Sequence, residues 1–222
     1  MAVYQFKDEI EIPLQEASVT GNLNIPMNAD AIVIFAHSGG SSRLSPRNQF
    51  VAKALNDAGF ATLLFDLLTP HEEDAYANRF KIDLLTDRLL GVTHWLTSRP
   101  DFELNLAYFG ASTGAAATLE AAAHLGTRIR AVVSRGGRPD LAMYSLPQVK
   151  PPTSLIVGGL DHDVIGMNQK AYCELNASKE LVIIEGATQR FEEPGTLHLV
   201  AAHAIQWFQT HLRHVYADSE SI

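Results

Sequence analysis

Short apolar runs rich in β-branched residues alternate along the chain with amphipathic segments, the pattern of strands and helices that assemble a mostly parallel sheet. Six of these runs are nearly continuous in apolar residues, as strands buried on both faces require. They are "AIVIFAHS" (31–38), "FATLLFDLL" (60–68), "LNLAYFGA" (104–111), "IRAVVSRG" (129–136), "TSLIVGGL" (153–160) and "KELVIIEG" (179–186). Helical periodicity fills the intervals over 46–58, 80–98, 113–125, 164–176 and 194–211. Gly59 stands where a helix C-terminal glycine belongs, and Pro194 suits a first helical turn.

Two earlier runs, "IEIPL" and "VTGNLNIP", follow each other with no helix between them and are expected to form an antiparallel hairpin at the sheet's edge. The segment "TPHEEDAYANRF" (69–80) is the one long irregular connection, read as a short helix or a mobile lid. With no repeat, linker or low-complexity tract in view, the expectation is a single α/β domain over residues 1–222, with about eight strands and five or six helices.

Composition narrows the function classes. A net charge of −8 and a pI near 5.5, with no Lys/Arg-rich run, argue against nucleic acid as a partner. No apolar run approaches a membrane span and the N-terminus carries charges where a signal peptide would be apolar, so no membrane partner and a cytoplasmic location are expected. The single cysteine, Cys173, excludes an intrachain disulfide framework and reads as a helix residue without chemistry. No Cys/His cluster suggests a metal, and no cofactor is expected. A nicotinamide-dependent oxidoreductase would need G-x-G-x-x-G after the first parallel strand, where the chain has only "HSGGSS".

The strongest chemical signal is "GASTG" (110–114), set directly between an expected strand and an expected helix. This is the G-x-S-x-G nucleophile elbow: flanking glycines let the backbone turn sharply, and Ser112 projects from the strand tip toward a helix N-terminus. The bland alternative is a small-residue turn kept for close packing. A serine hydroxyl needs an adjacent base, usually a histidine oriented by a carboxylate. "IVGGLDHDV" places Asp161 just past a later strand tip as the preferred carboxylate, with Asp163 the second candidate; the alternative is that Asp161 only turns the chain into the next helix. The two oxyanion donors are expected to be the backbone N–H groups of Thr113 and, from the loop after the first parallel strand, Gly39.

Taken together, "HSGGSSRLSPRNQFVAKALNDAGFATLLFDLLTP", "YFGASTGAAA", "VVSRGGRPDLA", "IVGGLDHDV" and "GATQRFEEPG" resemble the dienelactone hydrolase-related branch of the α/β-hydrolase superfamily, over nearly the whole chain from about Ala31. The resemblance implies the α/β-hydrolase fold, Ser112 as nucleophile, Asp161 as acid, and Thr113 and Gly39 as oxyanion donors. Dienelactone hydrolases use a cysteine nucleophile, so the serine places this chain nearer the esterase-like relatives. In those relatives a histidine follows "GAT"; here that position is Gln189. A glutamine amide can hydrogen-bond to Ser112 but has no basic nitrogen to take its proton.

Nine histidines offer substitutes. His198, one turn into the helix after Pro194, is the first of them. His162 adjoins Asp161 but is expected to face away, His37 reads as a structural imidazole beside the oxyanion loop, and His71 belongs to the irregular connection. His94, His124, His203, His211 and His214 read as helix-surface residues. Arg43, Arg47, Arg135 and Arg138 follow the carboxyl ends of two strands, where open α/β sheets bind ligands, and are candidates for holding an anionic substrate; the alternative is that they tie loops together. The leading expectation is therefore a small-molecule serine hydrolase of carboxylic esters or lactones, weakened by Gln189 or using a displaced base. The alternative is a non-catalytic descendant that binds an acidic metabolite or a partner.

Overall fold

The expected strands form one eight-stranded sheet in the order β1-β2-β4-β3-β5-β6-β7-β8. In this computed structural model residues 1–37, 39–100 and 103–212 are described. Ser38, the last residue of one expected strand, and His214 lie outside them. The strands are β1 (Tyr4–Pro13), β2 (Ser18–Pro26), β3 (Ala31–Ala36), β4 (Ala61–Phe65), β5 (Asn105–Ala111), β6 (Ile129–Arg135), β7 (Thr153–Gly158) and β8 (Lys179–Ile184). β1 and β2 pair antiparallel at the edge, β2 joins β4 antiparallel, and from β4 to β8 every pairing is parallel.

Alternation along each buried strand divides the core into two layers. Ile32, Ile34 and Ala36 face α3 (Ile82–Thr97), α4 (Thr113–Leu125) and α5 (His162–Glu174), while Ala31, Val33 and Phe35 face α1 (Pro46–Asp57) and α6 (Thr196–Leu212). Both layers are needed because each strand is apolar on both sides. Full burial of each Leu, Ile or Val contributes roughly 1.5–3 kcal/mol.

Two local differences from the pattern have physical causes. β1 starts at Tyr4, well before "IEIPL", because an edge strand exposed to water carries "QFKDE" without cost. α6 begins at Thr196 rather than at Pro194: Gly195 has φ +84°, a left-handed conformation that a helix cannot pass through. Gly59 behaves as expected. It has φ +93°, and its N–H and that of Phe60 return to Asn56 and Leu55 at 3.0 Å each, closing α1 in a Schellman turn.

The irregular connection is a short helix, α2 (Pro70–Glu73), followed by a 3₁₀ turn over Tyr76–Phe80. Thr69 and Glu72 form a reciprocal capping box, and Arg88 of α3 grips Glu72 at 2.6 Å. Among the described residues no helix is long and apolar enough to cross a membrane.

Candidate active site

Ser112 ends β5 and starts α4 with φ 52° and ψ −121°, a conformation that costs a non-glycine residue about 1–3 kcal/mol. The surrounding packing enforces it. A Cβ on Gly110 would lie 2.5 Å from Ala115 Cα, and one on Gly114 would collide with the carbonyl oxygens of Ala36 and His37. Both glycines of the motif are therefore required for α4 to pack against β5 and β3. The carbonyl of Ser112 accepts from Ala115 and Arg138, each at 3.1 Å, and its N–H donates to Arg135 at 3.4 Å. Among the described residues the Ser112 side chain has no hydrogen-bond partner.

Thr113, at the first position of α4, has an N–H with no acceptor inside the helix. Gly39 is brought directly to it: the Gly39 N–H donates to Thr113 Oγ1 at 3.0 Å. Gly39 is also covered from outside, because a Cβ there would meet Arg79 Cβ and lie 2.6 Å from the Arg79 carbonyl oxygen. The 3₁₀ turn thus closes onto the loop that carries Gly39, with Arg79 held by Glu73 at 2.8 Å. Arg79 is a neighbour that sequence reading missed, since no local pattern reports a contact between residues forty apart.

Asp161 follows β7 and is the N-cap of α5, its Oδ1 accepting from the Val164 N–H at 3.4 Å. Asp163 is exposed in the first turn of that helix. Gln189 lies in the β8–α6 loop and is exposed. Its backbone oxygen and Cγ stand 2.9 and 3.4 Å from where a Gly136 Cβ would be, so the loop crosses the end of β6. In the strand order β5-β6-β7, Gln189 therefore sits over the strand between those carrying Ser112 and Asp161.

The alternative bases have other surroundings. His198 is exposed on α6 and stacks edge-on against Phe50, with ring centroids 4.7 Å apart. His162 is exposed, and His71 is exposed beside Asp74. His37, 3% exposed, accepts the Leu67 N–H through Nε2 at 3.1 Å, as a structural imidazole does. A cavity of about 290 Å³ opens next to it, lined by Ser42, Arg43, Asp66, Thr69 and Glu73 among others.

The four arginines have separate surroundings. Arg43 bridges Asp66 at 2.6 Å and Glu9 at 2.7 Å, and Arg138 makes a two-pronged pair with Asp140 at 2.7 and 2.8 Å. The carboxylates raise the pKa of both groups. Arg47, on α1, reaches Glu192 at 3.1 Å. Arg135 is different: only 8% exposed, it donates from Nη2 to Asn48 Oδ1 at 3.3 Å, and its Nε and Nη1 are buried without a partner. Burial, then the charge of Arg47, pushes its pKa down to about 10, so it stays cationic at neutral pH.

A central parallel sheet in this order, with a strained serine between a middle strand and the helix behind it, defines an α/β-hydrolase. No protein-family model matches the chain. A dienelactone hydrolase from Anabaena variabilis is 52% identical, superimposes with a TM-score of 0.91 and aligns over 94% of this chain and 99% of its own. The chain belongs to the dienelactone hydrolase-related family. Est1E from Butyrivibrio proteoclasticus, 17% identical with a TM-score of 0.77 over 91% of this chain and 97% of its own, shares the fold. A curated Mycobacterium tuberculosis protein provisionally named a phosphoribosyl transferase is 53% identical over 92% of this chain. The match spans only 46% of that relative, about half its length.

Proposed function

We propose that the chain is a small-molecule serine hydrolase of carboxylic esters or lactones whose general-base step is impaired. The observation that carries this reading is the strained Ser112 at the elbow, held by two glycines that cannot be anything else, in a family that includes a dienelactone hydrolase. The transferase name attaches to a protein of which this chain matches less than half.

In this reading Ser112 Oγ attacks the ester carbonyl, and the oxygen that gains charge is met by the Thr113 N–H and by the Gly39 N–H, which leaves Thr113 Oγ1. The serine proton must go somewhere. Gln189 cannot accept it, so water takes it, and turnover falls by the orders of magnitude that a triad base supplies. Asp161 orients a base only when one is present; without one it caps α5. A second reading, a binding protein for an acidic metabolite, rests on Arg135, a buried cation with two unpartnered donors on the strand position paired with Ala111.

Turnover of p-nitrophenyl acetate by the purified chain, with Ser112→Ala as control, tests the proposal. Slow turnover that disappears in Ser112→Ala supports the hydrolase. Turnover at the buffer rate in both, with no labelling of Ser112 by a fluorophosphonate, supports the binding protein.

A further inference from the structure

The 136–138 loop that follows β6 supports more than one part of the site. Its Arg138 N–H donates to the Ser112 carbonyl at 3.1 Å, and the preceding Arg135 carbonyl accepts the Ser112 N–H at 3.4 Å. Gly136, with φ 50°, lies against the Gln189 carbonyl oxygen, which is 2.9 Å from where its Cβ would be. Gly137 is packed so closely that a Cβ there would collide with Ser134 Oγ and lie 2.8 Å from Ala115 Cβ, in the first turn of α4. One loop therefore touches both the nucleophile elbow and the segment that carries Gln189.

Asn168 of α5 ties this loop to the remaining segment. It is 0% exposed, and its Nδ2 donates to the Gly137 carbonyl at 3.1 Å and to the Val164 carbonyl at 2.8 Å. The Val164 N–H in turn donates to Asp161 Oδ1 at 3.4 Å. The connection thus runs from Asp161 through Val164 and Asn168 to Gly137, and from the next residue, Arg138, to Ser112. Packing alone does not favour asparagine here. It is a weak helix former, and its Oδ1 is buried without a partner among the described residues, which costs free energy that a leucine of similar size would not incur. What leucine lacks is a donor for the carbonyl of the buried Gly137.

We infer that Asn168 is a positioning residue: it fixes the 136–138 loop so that Ser112, Asp161 and the side chain at 189 keep one mutual geometry. The inference rests on the hydrolase reading of Ser112 and names the residue that sets its alignment. Without the Asn168 donor the loop loses its tie to α5, and the Arg138 N–H is no longer held at the Ser112 carbonyl. The elbow then shifts relative to Asp161. Ester binding does not use this bond, so the loss falls on kcat.

Steady-state kinetics on p-nitrophenyl acetate in the Gln189→His background, which supplies a base, test the inference. Adding Asn168→Leu should lower kcat by about 10²-fold, the cost of a displacement near 1 Å, with KM changed by less than about threefold. Asn56→Leu is the matched control. Asn56 is 2% exposed on α1, against the opposite face of the sheet, and donates to the Phe60 carbonyl at 3.0 Å, so its loss destabilises the fold without reaching the site. If Asn168→Leu does not fold, Asn168→Ala, which adds no bulk, takes its place. Hydrogen exchange reads the same link without turnover: protection of the Arg138 amide should fall in Asn168→Leu and stay at the parent's level in Asn56→Leu. Unchanged kcat, an equal loss of kcat in Asn56→Leu, or an Arg138 amide protected as in the parent overturns the inference. Failure of the hydrolase reading looks different, with Gln189→His no more active than Ser112→Ala, and hydrogen exchange then decides.

Discussion

The N–H of Gly39 donates to Oγ1 of Thr113 at 3.0 Å, so one expected oxyanion donor is held by the side chain of the residue that carries the other. The bond keeps the two loops in register, and it competes with any use of the Gly39 N–H as an oxyanion donor. Thr113→Val should leave the Gly39 N–H without its acceptor. A loss of about 1 kcal/mol is expected, seen as a Tm lower by roughly 2–4 °C in thermal unfolding. Ester turnover by the same variant should be no lower than the parent's, because the freed donor is available to the oxyanion.

The strain at Ser112 gives a second expectation. Glycine adopts φ 52° without penalty, so Ser112→Gly should be more stable than Ser112→Ala by about 1 kcal/mol, although both lack the hydroxyl. Paired denaturant titrations check this. Equal midpoints would mean that the elbow relaxes when the serine is removed and that its backbone is not strained by the packing of α4.

The cover over the oxyanion loop should respond to acid. Burial acts to raise the pKa of Glu72, but the Thr69 N–H, the charge of Arg88 and their hydrogen bonds outweigh it and hold the carboxyl below its usual value. A depressed pKa in the folded state contributes stability above the unfolded value, near 4.5, and that stability is lost as pH falls through the folded value. Protection against hydrogen exchange in α2 and the following 3₁₀ turn, measured relative to the intrinsic rate at each pH, should therefore fall below about pH 4 in the parent. In Glu72→Gln protection should already be lower at neutral pH and lack that acid step.

Much of the fold was legible because β3 to β7 are buried on both faces, which writes an unbroken apolar run into the sequence. β1 was half hidden for the opposite reason: its N-terminal residues face water, and charges mask the strand. The elbow could be read because Gly110 and Gly114 answer to contacts of the motif itself with β3 and α4. What the sequence could not report is pairing across loops. The closure of Arg79 over Gly39 and the sharing of Glu192 by Arg47 and Arg190 join segments distant in the chain. The four arginines follow strand ends as read, yet only the contacts separate Arg43 and Arg138, each matched by carboxylates, from the unmatched Arg135.

The central claim is that Gln189 occupies the base position of an otherwise assembled hydrolase. The loop bearing it crosses the end of β6, between the strands that carry Ser112 and Asp161, which is where the account places an imidazole. The decisive measurement is kcat/KM on short-chain p-nitrophenyl esters for the parent, Gln189→His, Ser112→Ala and the double variant. A restored general base should raise Gln189→His over the parent by about 10²- to 10⁴-fold, and the double variant should fall back to the level of Ser112→Ala. A folded Gln189→His no more active than Ser112→Ala would contradict the account, as would a parent already as efficient as its histidine variant.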